Sequence, residues 1–360
     1  MIYVPIMKTG DAEIRGLENL SKDVKDRITP LIELTPSRVS KNVPHGDINK
    51  RLTRLKEAYG DRDREFILDL TTDANLTNRQ IEDLQNTHDG YVNWIDFLVS
   101  LKKDFPKIIP VIQISDKNIK SEEEYYNRIR QQVHALGEYF DDVVYRFPLE
   151  YASYIDDLKE ICKAISGDRI ICVVDAGFIL REKAAIYSQA IEKVITELEQ
   201  FSLGKIVVSA TSFPKNPTEN GGDEYGDSNL EEWTLYNNIS SKKKFVIYGD
   251  YASINPIRSL QAGGNGWVPR IDMPTETQCF YYRSRKSQIE ASYAAAYTRV
   301  ANSIQNDKRY AKTTKLINGC WGIEQIESAA EGYPPGLSPS FWISVRMNIH
   351  MTIRGVLLSV

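Results

Sequence analysis

Eight short apolar runs recur at intervals of roughly 25 to 45 residues, the length of a βα unit. They read YVPIMK, ITPLIELT, FILDLT, IIPVIQIS, VVYRFP, IICVVDAG, KIVVSATS and FVIYGDYA. Most are continuously apolar, as strands of a parallel sheet must be when both faces are covered. The segments between them are helix-like: Ala184, Tyr187, Ile191, Val194 and Leu198 are spaced by three and four, and Ser121 stands before an acidic run as a cap should. Alternation through eight strands predicts an α/β fold, a (β/α)8 TIM-like barrel, because eight strands close around an interior that side chains can fill. An open doubly wound sheet is the alternative. It would usually carry a Gly-rich phosphate loop after the first strand, and none is present.

Beyond the eighth run the pattern changes. Residues 253–277 are rich in Gly, Pro and Asn, and the seventh run is followed by a similar stretch, 212–228. Both are expected to lie as irregular chain over the carboxyl end of the barrel, where barrel enzymes hold their sites. SQIEASYAAAYTRVANSIQN is a candidate eighth outer helix, and Ser338 with Pro339 opens a C-terminal helix. The organisation expected is a barrel over 1–310, including a long loop and aromatic arm at 253–286. A C-terminal helical extension, 311–360, would pack on it.

The most informative feature is a polar side chain at similar depth in every run: Lys8, Glu33, Asp69, Gln113, Arg146, Asp175, Ser209 and Asp250. An unpaired buried charge costs several kcal/mol, so this recurrence demands mutual pairing, solvent or a ligand. In a functional reading Glu33, Asp69, Asp175 and Asp250 are acid/base groups or oxygen ligands for a divalent cation, and Lys8 and Arg146 hold an anion. A Schiff base on the lysine is a further option. In a structural reading the same residues are a salt-bridge network closing the barrel. Lys8, Glu33, Asp69, Arg146, Asp175 and Asp250 carry two positive charges against four negative, and are expected to form one connected site. Strand registers are not fixed by sequence, so some of the eight could face the helices.

Composition narrows the rest. The fractions of hydrophobic (42%) and charged (26%) residues are those of a globular protein, and the first residues lack the pattern of an export signal, so a cytoplasmic chain is expected. Cys162, Cys172, Cys279 and Cys320 form no CxxC pair and are read as reduced thiols. His45, His88, His134 and His350 have no metal-ligand spacing, leaving any metal to carboxylates. His350 is read as a structural hydrogen-bonding residue. Residues 280–360 hold 10 Lys or Arg against 5 Asp or Glu, whereas the chain as a whole carries −4. Nucleic acid is therefore not the expected partner, although Arg283 and Arg285 beside Tyr281 and Tyr282 are candidate binding residues. Ser209, Thr211 and Ser212 could donate to a phosphate or simply form a turn, and Tyr248 and Tyr251 could stack on a ligand or pack the rim.

With YVPIMKTGDAEIRGLENL, RITPLIEL, the LDL at 68–70, SATSFP, YGDYA, WG-x-x-Q-I and SPSFW…NIHMT in view, the chain resembles the phage-type beta-protein family over nearly its whole length. It departs from that pattern at Ile349, where a second histidine would stand beside His350, and around FYYRSR. The resemblance implies an association with phages or mobile elements and with defence or counter-defence. It supplies no catalytic residues.

The reading that follows is a barrel with an enzyme-like polar mouth, a hydrolase or lyase of a small or phosphorylated compound. Its rival is a non-catalytic protein-binding factor in phage–host conflict, marked by an exposed apolar patch on the C-terminal helices.

Overall fold

The computed structural model describes residues 1–41, 43–59, 64–117, 119–216, 218, 224–257 and 266–359. All eight apolar runs are strands of one sheet: β1 (Tyr3–Lys8), β2 (Leu31–Leu34), β3 (Phe66–Leu70), β4 (Ile108–Pro110), β5 (Val143–Pro148), β6 (Ile170–Phe178), β7 (Lys205–Thr211) and, after a strand β8 (Tyr225–Asn229) belonging elsewhere, β9 (Val246–Asp250). Their order is β4-β3-β2-β1-β9-β7-β6-β5, and every pair is parallel. The free edges meet at a parallel bridge between Val111 and Val144, where the Ile112 amide donates to the Val144 carbonyl at 2.8 Å. A bridge there instead of a full ladder makes β4–β5 the thinnest seam of the barrel.

Side-chain alternation sorts the strand residues into two layers. Val4, Ile6, Leu31, Ile67, Val111, Val144, Ile171, Val173 and Val207 fill the interior as one cluster. Their alternates, such as Tyr3, Met7, Ile32, Leu68, Tyr145 and Tyr248, pack outward on the helices in the largest cluster of the molecule. Two helix starts follow their caps: Ser121 accepts from the Glu124 amide at 3.2 Å, and Ser338, with Pro339 at the first helical position, accepts from the Phe341 amide at 3.3 Å.

The segments after β7 and β9 differ from expectation. Neither is wholly irregular, since each contributes a strand, β8 and β10 (Arg270–Pro274), to a three-stranded antiparallel sheet ordered β10-β11-β8, with β11 spanning Gln278–Arg283. Of the expected loops, 217, 219–223 and 258–265 lie outside the described residues. The alternation of Ile271 and Met273 turns one face of this sheet onto helices, which a composition-based reading of Gly, Pro and Asn overlooks. Helix Ala294–Gln305 joins that second apolar cluster, with Tyr297, Val300, Ala301 and Ile304, and is not part of the barrel's outer ring.

The C-terminal helix Pro339–Leu357 packs against the barrel instead, on helix Asp11–Glu18 and on β1. It is buried between the two clusters, with Met347 and Met351 in the barrel layer and Val345, Ile349 and Ile353 in the second. Close approach on both sides uses glycine: a Cβ on Gly16 would lie 3.2 Å from Met347 Cβ, and one on Gly322 would lie 2.8 Å from the Val345 carbonyl oxygen. Asn348 ties the layers together by donating to the Gly16 carbonyl at 3.0 Å while accepting from the Gly322 amide at 3.0 Å.

Candidate functional site

Each interior aliphatic residue nearest the carboxyl end is followed two positions later by a polar one, and the pleat therefore stacks these polar side chains as one layer on the apolar interior. Ile6 leads to Lys8, Leu31 to Glu33, Ile67 to Asp69, Val111 to Gln113, Val144 to Arg146, Val173 to Asp175 and Val207 to Ser209. Arg146 is the hub. Its Nη1 donates to Glu33 Oε1 and to Asp69 Oδ2, both at 2.9 Å, its Nε and Nη2 to Asp175 Oδ2 at 3.0 and 2.7 Å, and its Nη2 to the Tyr251 hydroxyl at 3.0 Å. Around the hub, Lys8 Nζ pairs with Glu33 at 3.0 Å, Gln113 donates to Asp69 at 3.0 Å, and Ser209 and Tyr251 donate to Asp175 at 3.1 and 2.6 Å.

The electrostatics follow from burial and pairing. Burial raises the Asp69 carboxyl above its ordinary range, against the opposing pull of Arg146 and Gln113. Burial alone would weaken the Arg146 cation, but Asp175, Tyr251, Glu33 and Asp69 hold its pKa well above the usual value. The Tyr251 hydroxyl is pushed far up by burial and by Asp175 beside it, so it stays a donor.

Asp250 is the exception, and the expectation of a site containing it is corrected by parity. The residue two before it is Tyr248, an outward-facing side chain, and β9 places Tyr251 in the polar layer instead. Asp250 turns to the helical shell, where Tyr3 and Tyr248 donate to it at 2.6 and 2.8 Å, the Ala252 amide donates at 2.8 Å, and His350 Nε2 lies 2.6 Å from Oδ2. Burial raises its pKa, but His350, Tyr3 and Arg354 outweigh burial and hold the carboxyl below the ordinary range. The interior network thus balances two cations, Lys8 and Arg146, against three carboxylates, Glu33, Asp69 and Asp175. Among the described residues no group of three or more His, Cys, Asp or Glu is arranged to hold a metal ion.

Above this layer lies a cleft of about 560 Å³ between the barrel mouth and the second cluster. Of the polar layer, Lys8 lines it, and its Nζ also donates to the Pro256 carbonyl at 2.6 Å. Two arginine–aspartate–arginine triads line the cleft. On the barrel side Asp11 is shared by Arg51 and, at 3.5 Å, by Arg38; on the other, Asp272 is shared by Arg270 at 3.0 Å and Arg346 at 2.9 Å. Each triad sets two cations against one carboxylate. Each also contains a buried arginine, Arg51 (8% exposed) or Arg346 (3%), whose Nε has no hydrogen-bond partner among the described residues. Burial draws the Arg346 guanidinium below its ordinary pKa, although Asp272 opposes this, and the Phe213 ring lies 4.0 Å under it.

The other sequence candidates divide. Arg283, at the end of β11, lines the cleft, whereas Arg285 is exposed beyond that strand and does not. Ser212 lies off the cleft, because its amide and hydroxyl both donate to Glu232 at 2.8 and 2.5 Å and its hydroxyl accepts from the Glu231 amide at 2.9 Å. Sequence reading overlooked both triads. Their members come from helices, from the loop after β2 and from the second sheet, and the one local signal, the Arg270–Asp272 alternation on β10, is too common to be diagnostic.

Fold and site together define a (β/α)8 barrel with a saturated polar layer inside its mouth and a cationic cleft above it. The chain belongs to the Beta protein family, whose pattern matches residues 3–354. It is 29% identical to Protein beta of Enterobacteria phage P4 over 354 residues, covering 97% of this chain and 91% of the phage protein. Among solved structures, it is similar to a broad-specificity GH5-4 endoglucanase from an uncultured bacterium, with 10% identity, TM-score 0.39, and coverage of 67% of this chain and 77% of that one. It is also similar to cellulose synthase subunit Z of Clostridioides difficile, with 11% identity, TM-score 0.40, and coverage of 69% and 91%. At such scores neither likeness bears on reaction or substrate. Among the described residues no helix is long and apolar enough to cross a membrane.

Proposed function

We propose that this phage-related barrel binds a phosphorylated compound in the cleft over its mouth, and that hydrolase or lyase chemistry on it draws on Lys8 with Glu33. The observation that carries the reading is the pair of Arg–Asp–Arg triads, each with two cations to one carboxylate and a buried guanidinium whose Nε has no hydrogen-bond partner among the described residues. Planar guanidinium groups match the oxygen spacing of phosphates, and a buried cation gains most from an anion that water does not screen. Lys8 joins this cleft to the buried layer, so a proton or charge change at a bound ligand is felt first by the Lys8–Glu33 pair. The remainder of the layer serves as a rigid base, since its charges are already paired.

The rival protein-binding reading asked for an apolar patch on the C-terminal helices. In helix Pro339–Leu357 thirteen residues are buried, so that helix does not offer such a patch.

Isothermal titration of the full chain with inorganic pyrophosphate tests the binding reading. Saturable binding that weakens as salt is raised is expected, with Arg38→Met lowering affinity several-fold; Arg38 is 68% exposed, so its replacement spares the fold. No binding at millimolar pyrophosphate at low ionic strength would overturn it.

A further inference from the structure

The cleft is not lined by charge alone. The wall bearing Arg270 and Arg346 is continuous with an aromatic surface: Trp267 stacks on Tyr293 with ring centroids 4.4 Å apart, its Nε1 donates to the Tyr297 hydroxyl at 3.2 Å, and Tyr297 stacks on Trp342 at 5.2 Å. Trp267, Tyr297 and Trp342 all line the cleft. Trp267 is 41% exposed although one face lies on Tyr293, and among the described residues no other ring stacks on it. A large, half-exposed indole held in orientation by a hydrogen bond and a stacked ring is a platform for a planar group. Keeping such a surface beside solvent has a cost in apolar exposure that a stacked ligand removes.

We propose that the ligand of this cleft is a free nucleoside diphosphate, whose base stacks on Trp267 and whose two phosphates span the Arg38–Asp11–Arg51 and Arg270–Asp272–Arg346 triads. This deepens the preceding proposal and rests on it for the phosphate. The matching is threefold. A nucleotide has one planar apolar end and one polyanionic end, and the cleft has an aromatic end adjoining a cationic one. Two separate triads lining one cleft offer two oxyanion sites, which a diphosphate can fill together and a monophosphate cannot. The volume of about 560 Å³ lies within the range of small-molecule and cofactor sites.

The experiment titrates the intact chain with ADP, inorganic pyrophosphate, ribose 5-phosphate and adenosine, following heat and tryptophan fluorescence. ADP is expected to bind at least about 10-fold more tightly than pyrophosphate or ribose 5-phosphate, with quenching of the indole signal. Trp267→Ala should lower ADP affinity by about 10-fold while leaving pyrophosphate affinity unchanged. Arg38→Met should weaken both. Circular dichroism and thermal unfolding of each variant verify folding, and Trp267→Phe, which keeps a ring, should restore most of the ADP affinity.

Equal affinities for ADP and pyrophosphate, with Trp267→Ala silent, would overturn the nucleotide assignment and leave the phosphate reading standing. Failure of every phosphate to bind would overturn both. A short oligonucleotide that binds far more tightly than ADP, and displaces it, would overturn the assignment to a free nucleotide.

Discussion

His350 Nε2 lies 2.6 Å from Asp250 Oδ2, with each side chain 1% exposed, and this contact joins the C-terminal helix to the last barrel strand. Residues 100 apart in sequence are thereby fixed against one another in a space that Tyr3 and Tyr248 seal. His350→Ala would leave the Asp250 carboxylate buried and short of a partner. A loss of about 3–5 kcal/mol in unfolding free energy is expected from urea denaturation. His350→Gln, which can still donate, should recover part of it, and a cost below about 1 kcal/mol for the alanine variant would show that the contact is dispensable.

The same pair sets an acid limit. The Asp250 carboxyl is held below its ordinary value of 3.8 in the folded chain, so it binds its proton less tightly there than when unfolded. Its contribution is complete above that value and is lost as pH falls through the lower folded pKa. Asp250→Asn should therefore flatten the dependence of stability on pH below about pH 4, besides lowering stability at neutral pH. Unfolding midpoints measured between about pH 2 and about pH 7 give the comparison.

Removing the hub of the polar layer should act in the opposite direction. Arg146→Met leaves Glu33, Asp69 and Asp175 facing one another with Lys8 alone to compensate, and burial already raises Asp69. A cost of about 3–5 kcal/mol is expected at neutral pH. Carboxyls crowded in this way are raised in the folded state, so their stabilising proton is present at low pH and lost as pH rises through the folded value. The variant should accordingly regain stability as pH falls, and more steeply than the parent chain, where Arg146 opposes the rise at Asp69. A parallel pH profile for the two proteins would show that Arg146 does not organise the layer.

Gly322→Ala tests the seating of the C-terminal helix. The added methyl would stand 2.8 Å from the Val345 carbonyl and 2.6 Å from Ile349 Cγ1, and the carbonyl cannot move without its helix. Overpacking of this kind costs roughly 1–3 kcal/mol. Because the clash is on the side away from the barrel, hydrogen exchange should rise in helices Trp321–Ala330 and Pro339–Leu357 before it rises in the strands.

Much of this molecule is written locally. Eight runs with intervening amphipathic segments led to eight parallel strands, and the polar positions Lys8 to Ser209 share the inward parity of the aliphatic residues two places before them. Asp250 escaped that reasoning because FVIYGDYA is polar at consecutive positions. The signal that separates Tyr251 from Asp250 is the small Gly249 in the inward row, next to the bulky Tyr248 in the outward one. The second sheet was only partly legible: QCFYYRSR reads as a short aromatic strand or hairpin arm and is β11, whereas β8 and β10 lie in stretches whose Gly, Pro and Asn content masks short antiparallel pairing.

By itself, the sequence determined period: where strands fall, that they are covered on both faces, and that a belt of polar side chains recurs near their carboxyl ends. Those are properties of neighbours along the chain, set by pleat geometry and the cost of burying apolar or polar groups. The tertiary structure alone decided which charges meet. Arg146 reaches Glu33 and Asp69 only because the barrel closes, Asp250 finds His350 only because the C-terminal helix docks beside β1, and Asp11, Arg38 and Arg51 face Arg270, Asp272 and Arg346 only because a second sheet stands over the mouth. Electrostatic pairing acts through space over a few ångströms, and no local pattern encodes which distant partner will arrive there.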